Sequence, residues 1–389
     1  MTGSERLVTA INHREPDRIP FDLAGTTVTG ISKKAFINAM KFRGLSADYE
    51  KEEIDPIQQI VTPVEETLRK LQSDVRRTGA RRIPAFEERV RRTGSVNEIT
   101  DAWNCLWKMD ELKDLYYNQY TFPLERYSTL EEGLKEYMPP VVSSEKETIE
   151  HDLARQFRTI TESAVVADRN CAGLTEISLR IRGYEKWFLD TVTDPVSVEK
   201  LFDIITDYKK SYWDLLINWL IENNLTERVN VVAECDDLGT QTSTLLEPGF
   251  LRGTVIPRYA GLWSHIKRRL PGVKIFMHTC GSVRVLLPDL IEAGMDIYNP
   301  VQFTAAGMDL KSLKRDFGND LVFWGGGVNT QQTLKTGTPQ QVSDEVKRII
   351  DIMAPGGGFV FSTVHNIQED VPPENFWAMW ETLIQYGKY

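Results

Sequence analysis

The stretch "VKIFMHTCGSVRVLLPDLIEAG", Val273–Gly294, holds the repeating unit of the fold. Its first part, Val273–Thr279, is a short apolar run, the pattern of a parallel strand covered on both faces. Its second part spaces apolar residues as a helix does. It begins on Ser282 and stops at Gly294, a residue suited to the left-handed position that ends a helix. His278, Thr279, Cys280 and Gly281 occupy the junction. Strand, turn and helix together predict one β/α unit.

The same signature recurs along the chain. "RIPFDL" from Arg18, "DVRRTG" from Asp74, "ESAVVAD" from Glu162 and "RVNVVAEC" from Arg228 read as strands. So do "MDIYNP" from Met295, "LVFWGG" from Leu321 and "GFVFST" from Gly358. Between them, "PVSVEKLFDIITDYKKSYWDLLINWLIENN" from Pro195 has helical periodicity. "TPQQVSDEVKRIIDIMAPGG" opens with Thr338 as N-cap and Pro339 as first helical residue. Eight strands alternating with helices predict an α/β chain folded as a (β/α)8 TIM barrel, a single domain over 1–389. One segment breaks the repeat. From about residue 83 to 140, after the second strand, the chain is charged and aromatic, and it reads as an insertion.

Composition removes several classes of function. The 389 residues are 41% hydrophobic and 26% charged, an ordinary globular balance. A net charge of −10 disfavours nucleic acid, whose phosphates need a basic face. The local exception is Arg76, Arg77, Arg81 and Arg82, which reads equally as a solvated loop. No apolar run reaches the ~18 residues of a membrane span. The N-terminal "MTGSERLVTAINHREPDRIP" has no secretory core, and four irregular Cys make no disulfide framework. A cytoplasmic location is expected.

Barrel enzymes work at the C-terminal ends of their strands. Those ends carry Asp22, Glu234-Cys235-Asp236-Asp237, His278-Thr279-Cys280, Asn299 with Gln302, and His365-Asn366. His278 and Cys280 are two apart, so on an extended strand end they share a side. Paired imidazole and thiol donors suit zinc, and Glu234 and His365 would complete its ligand set. The plainer alternative has both His residues hydrogen-bonding substrate or barrel, with Cys280 a small core residue. Side chains alternate along a strand, so an inward Glu234 sends Cys235 toward the helices. In the insertion, Trp103, Trp107, Tyr116 and Tyr117 suit either a substrate wall or local packing.

Taken in order, "HREPDRIPFD", "DDLGTQ", "HTCGSV", "MDIYNPVQ", "FWGGGVNTQ", "GTPQQV" and "HNIQEDVPPENFWAMW" resemble the uroporphyrinogen decarboxylase-like superfamily. The resemblance runs from about Glu5 to the C-terminus. It implies a (β/α)8 barrel and one of two chemistries, tetrapyrrole decarboxylation or methyl transfer to or from a corrinoid protein. Methyltransferases of this kind hold zinc with His-x-Cys and a later Cys. His278 and Cys280 match the first element, and His365 stands where the later Cys is expected. The Arg-rich N-terminal element of the decarboxylases is replaced by "FDLAGTTVTG".

The resemblance therefore implies the corrinoid-dependent branch and a place in one-carbon metabolism. A methyl group would pass from a methoxylated aromatic compound to Co(I) of a corrinoid partner. The alternatives are transfer from methyl-corrinoid to a thiol or a folate- or methanopterin-like carrier, and cofactor-free decarboxylation. A binding protein on a catalytically dead barrel is a further class. Zinc would act as Lewis acid, held by Glu234, His278, Cys280 and His365. Asp22, Asp237, Asn299, Gln302 and Asn366 would orient the substrate or the ligands. Trp103, Trp107 and Tyr116 would line the aromatic site, and Arg180 or Arg182 would hold a carboxylate. A homodimer is compatible with this reading.

Overall fold

The computed structural model describes residues 1–50, 53–83 and 86–389. Seven parallel strands form its centre: β1 Val75–Thr78, β2 Ala164–Asp168, β3 Val229–Cys235, β4 Lys274–His278, β5 Ile297–Asn299, β6 Val322–Trp324 and β7 Phe359–Val360. They lie side by side in chain order, each beside the next. The sheet closes through the first expected strand, which is irregular. Phe21 bridges Phe361 in parallel. Asp22 N donates to Phe361 O at 2.9 Å, and Phe361 N to Pro20 O at 2.8 Å. On the other side Asp74 N donates to Phe21 O at 2.8 Å. Pro20 has no N–H to give, and the N–H of Phe21 goes to the Asp74 carboxylate at 2.9 Å, so no regular ladder forms here. The result is a TIM barrel, as expected.

Strand register fixes which side chains face inward. His278 pairs with Cys235 and with Asn299, and Met277 pairs with Glu234. Paired residues in a parallel sheet point the same way. The inward set includes Val75, Val166, Val231, Ala233, Phe276, Ile297, Val322, Trp324 and Val360, one continuous apolar cluster. Leu7 and Ile11 join it from α1, Gly3–Ile11, whose Ala10 carbonyl accepts from Gly358 N just before β7. The helix thus plugs the end of the barrel where the strands begin.

Outside the ring, α2 spans Leu174–Arg182 and α3 spans Pro195–Glu222. The helix α4, Leu287–Ala293, ends on Gly294 in the left-handed region. It starts later than Ser282: a 3-10 turn at Arg284–Leu286 precedes it, and Ser282 Oγ instead donates to Ala306 O at 2.7 Å. Thr338 caps α5, Pro339–Met353, through a capping box.

Between β1 and β2 the insertion forms a four-stranded antiparallel sheet, Arg91–Thr93, Val96–Thr100, Leu106–Asp110 and Asn118–Thr121. Residues 84 and 85 of the expected insertion lie outside the described residues. Tyr117 N donates to Ile57 O at 2.9 Å, and Gln119 Nε2 to Arg180 O at 2.6 Å. These bonds tie the sheet to the barrel mouth. Among the described residues no helix is long and apolar enough to cross a membrane.

Candidate metal centre at the barrel mouth

The last inward residue of β4 is His278. Asn299, beside it on β5, sets its orientation: Nδ1 lies 2.5 Å from Asn299 Oδ1. The amide nitrogen of Asn299 donates to Trp324 O at 2.8 Å, so its oxygen is the acceptor and His278 Nδ1 carries the proton. The Nε2 lone pair is turned to Cys280, whose Sγ lies 3.5 Å away within hydrogen-bond reach. His365 completes the group, its ring centroid 5.4 Å from that of His278. One ligand atom from each of His278, Cys280 and His365 lies within 4.8 Å of the others.

The turns that present these groups are held from behind. Cys280 N donates to Asp237 Oδ1 at 3.3 Å, and Gly281 N to Gln302 Oε1 at 2.8 Å. Gly281 has φ 86°, and a Cβ there would stand 2.5 Å from Thr240 O, so only glycine fits. Beyond β7, Asn366 clamps the His365 loop. It accepts from Gly30 N at 2.7 Å and donates to Thr27 O and Gln58 Oε1, each at 3.0 Å.

Several expectations are corrected. Glu234 is not with the cluster: its carboxylate accepts from Lys209 Nζ at 2.7 Å and Trp213 Nε1 at 2.6 Å, both on α3. Its register partner Met277 also points outward, and Cys235 takes the inward place, 3.5 Å from Glu176 Oε2. Arg182 is buried away from the mouth. It donates to Asp190 Oδ2 at 2.6 Å and to the Leu124 carbonyl at 2.7 Å, because two residues along a helix turn it from the side that Arg180 occupies. Asp22 is buried, accepting from Trp324 Nε1 and Gly25 N, each at 2.8 Å, and burial raises its carboxyl to about 6. It braces its own loop and lines neither chamber of the mouth. Trp103 packs edge-on against Tyr208 at 4.9 Å and stays outside the outer chamber. Nor is the arginine run a solvated loop: Arg76 pairs with Glu65 and Arg77 with Asp168, both at 2.7 Å and buried.

Two cavities with shared lining lie at the mouth beside His278 and His365. The inner, about 140 Å³, is bounded by Arg169, Glu176, Cys235, Asp237, His278 and His365, among others. The outer, about 590 Å³, has an aromatic wall of Trp107, Tyr116 and Tyr117. Gln58, Arg82, Arg180 and His365 border both. Arg82 and Arg180 sit over the Trp107 ring at 5.2 and 5.5 Å. A cavity of about 640 Å³ on the flank, between residues 139–150 and α3, contains none of the three clustered donors.

Burial governs the titration here. It lowers His278 to about 3, helped by His365, and His365 to about 4, helped by Arg169. It pushes the Cys280 thiol well above its usual range, with Asp237 and Glu176 adding to the effect. Asp237 is raised by burial and by Glu176. Burial also works against Glu176, but Arg180, the Gly173 N–H and Arg169 outweigh it and hold that carboxylate low.

Sequence reasoning missed Glu176, Arg169, Asp168, Arg82, Asp55 and Gln58. Asp168 and Arg169 end a strand, so the rule that singles out His278 applies to them equally. Asp55 and Gln58 lie in an irregular loop that carries no periodic signal.

A family model for uroporphyrinogen decarboxylase (URO-D) matches residues 175–386, more than half of the chain. The chain belongs to the URO-D family. The span matched to URO-D holds Glu176, Arg180, Cys235, Asp237, His278, Cys280 and His365; the insertion and Arg169 precede it. A solved methyltransferase from Methanosarcina mazei is similar over 99% of both chains, with a TM-score of 0.64 and 16% identity. At that identity the likeness is one of fold. No curated protein matches the chain.

Proposed function

We propose that the chain is a zinc-dependent methyltransferase. It moves a methyl group from a methoxylated aromatic compound to the cobalt of a corrinoid protein. The observation that carries this reading is the cluster of His278, Cys280 and His365, whose His365 lines an aromatic-walled cavity. Two neutral imidazoles and a thiol make a donor set suited to zinc, leaving room for an exchangeable ligand. Zinc, when bound, supplies Lewis acidity for the ether oxygen. Asn299 fixes the donor atom of His278, as an outer partner of a metal-ligating His does. Trp107, Tyr116 and Tyr117 offer faces for an aromatic donor. The likeness of fold to a solved methyltransferase is in keeping with the reading.

Decarboxylation of a substrate with many carboxylates fits less well. Arg77, Arg82 and Arg180 are already engaged by Asp168, Asp55 and Glu176 at 2.7, 2.9 and 2.8 Å.

Metal analysis and reconstitution test the proposal. Purified protein is expected to hold about one zinc, the content of a single-metal site. With a reduced corrinoid partner it demethylates a methoxyaromatic donor. Cys280→Ala loses zinc and transfer together. A zinc-free Cys280→Ala enzyme that still transfers methyl would sink the mechanism.

A further inference from the structure

The arginines of the mouth differ in how fully they are engaged. Arg77 gives Nε to Asp168 at 2.7 Å, and its other nitrogens to the carbonyls of Gly79 and Ala80. Arg82 meets both oxygens of Asp55 and rests on Trp107. Arg180 meets Glu176 at 2.8 Å and rests on the same ring. Arg169 has one side-chain bond among the described residues, Nη1 to Asp168 Oδ1 at 3.3 Å. That carboxylate is shared: it also accepts from Arg77 Nε, Thr27 N and the Arg169 backbone N–H.

The Arg169 side chain is only 11% exposed, and it lines the inner chamber with His278 and His365. A guanidinium carries five N–H donors, and most of those of Arg169 meet no protein acceptor among the described residues and are left to the chamber it lines. Glu176 shares the chamber but is taken by Arg180 and by Gly173 N. We infer that Arg169 receives the anionic oxygen of the departing aromatic group.

This inference rests on the methyltransferase reading and deepens it. When the methyl carbon–oxygen bond breaks, its electron pair stays on oxygen. The methyl carbon bonds to the electron pair of the reduced corrinoid, and no proton moves until the phenolate leaves. Negative charge therefore grows on one oxygen beside the cluster. A cation already in place and poorly paired stabilises that charge without reorganising.

Equilibrium binding separates this role from a structural one. The probes are 4-nitroanisole and 4-nitrophenol, the latter ionised in mildly alkaline buffer, each titrated into zinc-loaded protein. Wild type is expected to bind the phenolate at least about tenfold tighter than the ether. Arg169→Met weakens the phenolate about 10- to 100-fold, the range for a hydrogen bond to a charged group, and the ether less than about threefold. Arg169→Lys, which keeps the charge for a fold intolerant of Met, falls between. Equal losses for both probes, or none for either, overturn the inference while leaving the methyltransferase reading intact. A wild type that binds neither probe overturns the methoxyaromatic reading and this inference with it.

Discussion

Phe276 and His278 lie on one strand, point into one barrel and are both buried, yet their surroundings are opposites. Around Phe276 stand Ala233 and Ile297 on the flanking strands, with Trp324 at 5.4 Å. Around His278, two residues on, stand Cys235 and Asn299 in the same register. The step repeats from Val75 to Arg77 and from Val166 to Asp168. One interior face thus changes from a sealed apolar layer to a titratable one within a single pleat repeat. The apolar layer blocks solvent from below, so charge at the mouth is desolvated on its floor side. That is why burial comes first among the causes that depress both imidazoles.

If the two layers divide stability from chemistry, substitutions should divide as well. Phe276→Ala opens a cavity in the sealed layer and is expected to cost ~3–5 kcal/mol in denaturant unfolding. His278→Ala, compared in zinc-free protein, should cost ~1–2 kcal/mol, the loss of its bond to Asn299. It should also abolish zinc binding, which Phe276→Ala spares in molecules that remain folded. Equal costs would place His278 in the structural core and erase the division.

Glu234 sharpens the comparison, since it is as buried as His278 but on the other face of the sheet. Glu234→Gln leaves Lys209 charged and unpaired, and is expected to cost about 3 kcal/mol with zinc content unchanged. Adding Lys209→Met should recover most of that stability, because the stranded charge is gone. A Glu234→Gln protein that loses zinc instead would return Glu234 to the metal centre.

The fold was legible because barrel strands covered on both faces read as short apolar runs, and their helices carry caps such as Thr338-Pro339 and stops such as Gly294. The same double burial hid the facing of Glu234 and Cys235. In Val231-Val232-Ala233 both faces are apolar, so no alternation says which side is in. The clue lay on the helix: Lys209 sits among Tyr208, Tyr212 and Trp213, and a lysine in an apolar stripe demands a buried acid. Cys280 and His278 were readable from a two-residue step. Their company, Arg169 and Glu176, comes from another strand end and a helix start more than 90 residues away in sequence, and only closure of the ring brings them together.

The smallest effect is a count of protons. Both imidazoles lie below the ordinary histidine range, at about 3 and about 4, so the folded protein keeps them uncharged at neutral pH. The sign follows: this contribution to stability is complete above the unfolded value near 6.5. It is lost as pH falls from there toward the folded values. Cys280 lies on the other side of neutrality, a protonated thiol held so by burial. Zinc taken up by two neutral imidazoles and one thiol must therefore expel about one proton, that of Cys280. Titration calorimetry in buffers of different ionisation enthalpy measures the number directly. Its companion is an affinity that rises about tenfold per pH unit near neutrality, the signature of one proton lost on binding. Zinc binding without proton release would mean that the thiol is no ligand, and that His278 and His365 hold the metal with donors from the substrate or solvent.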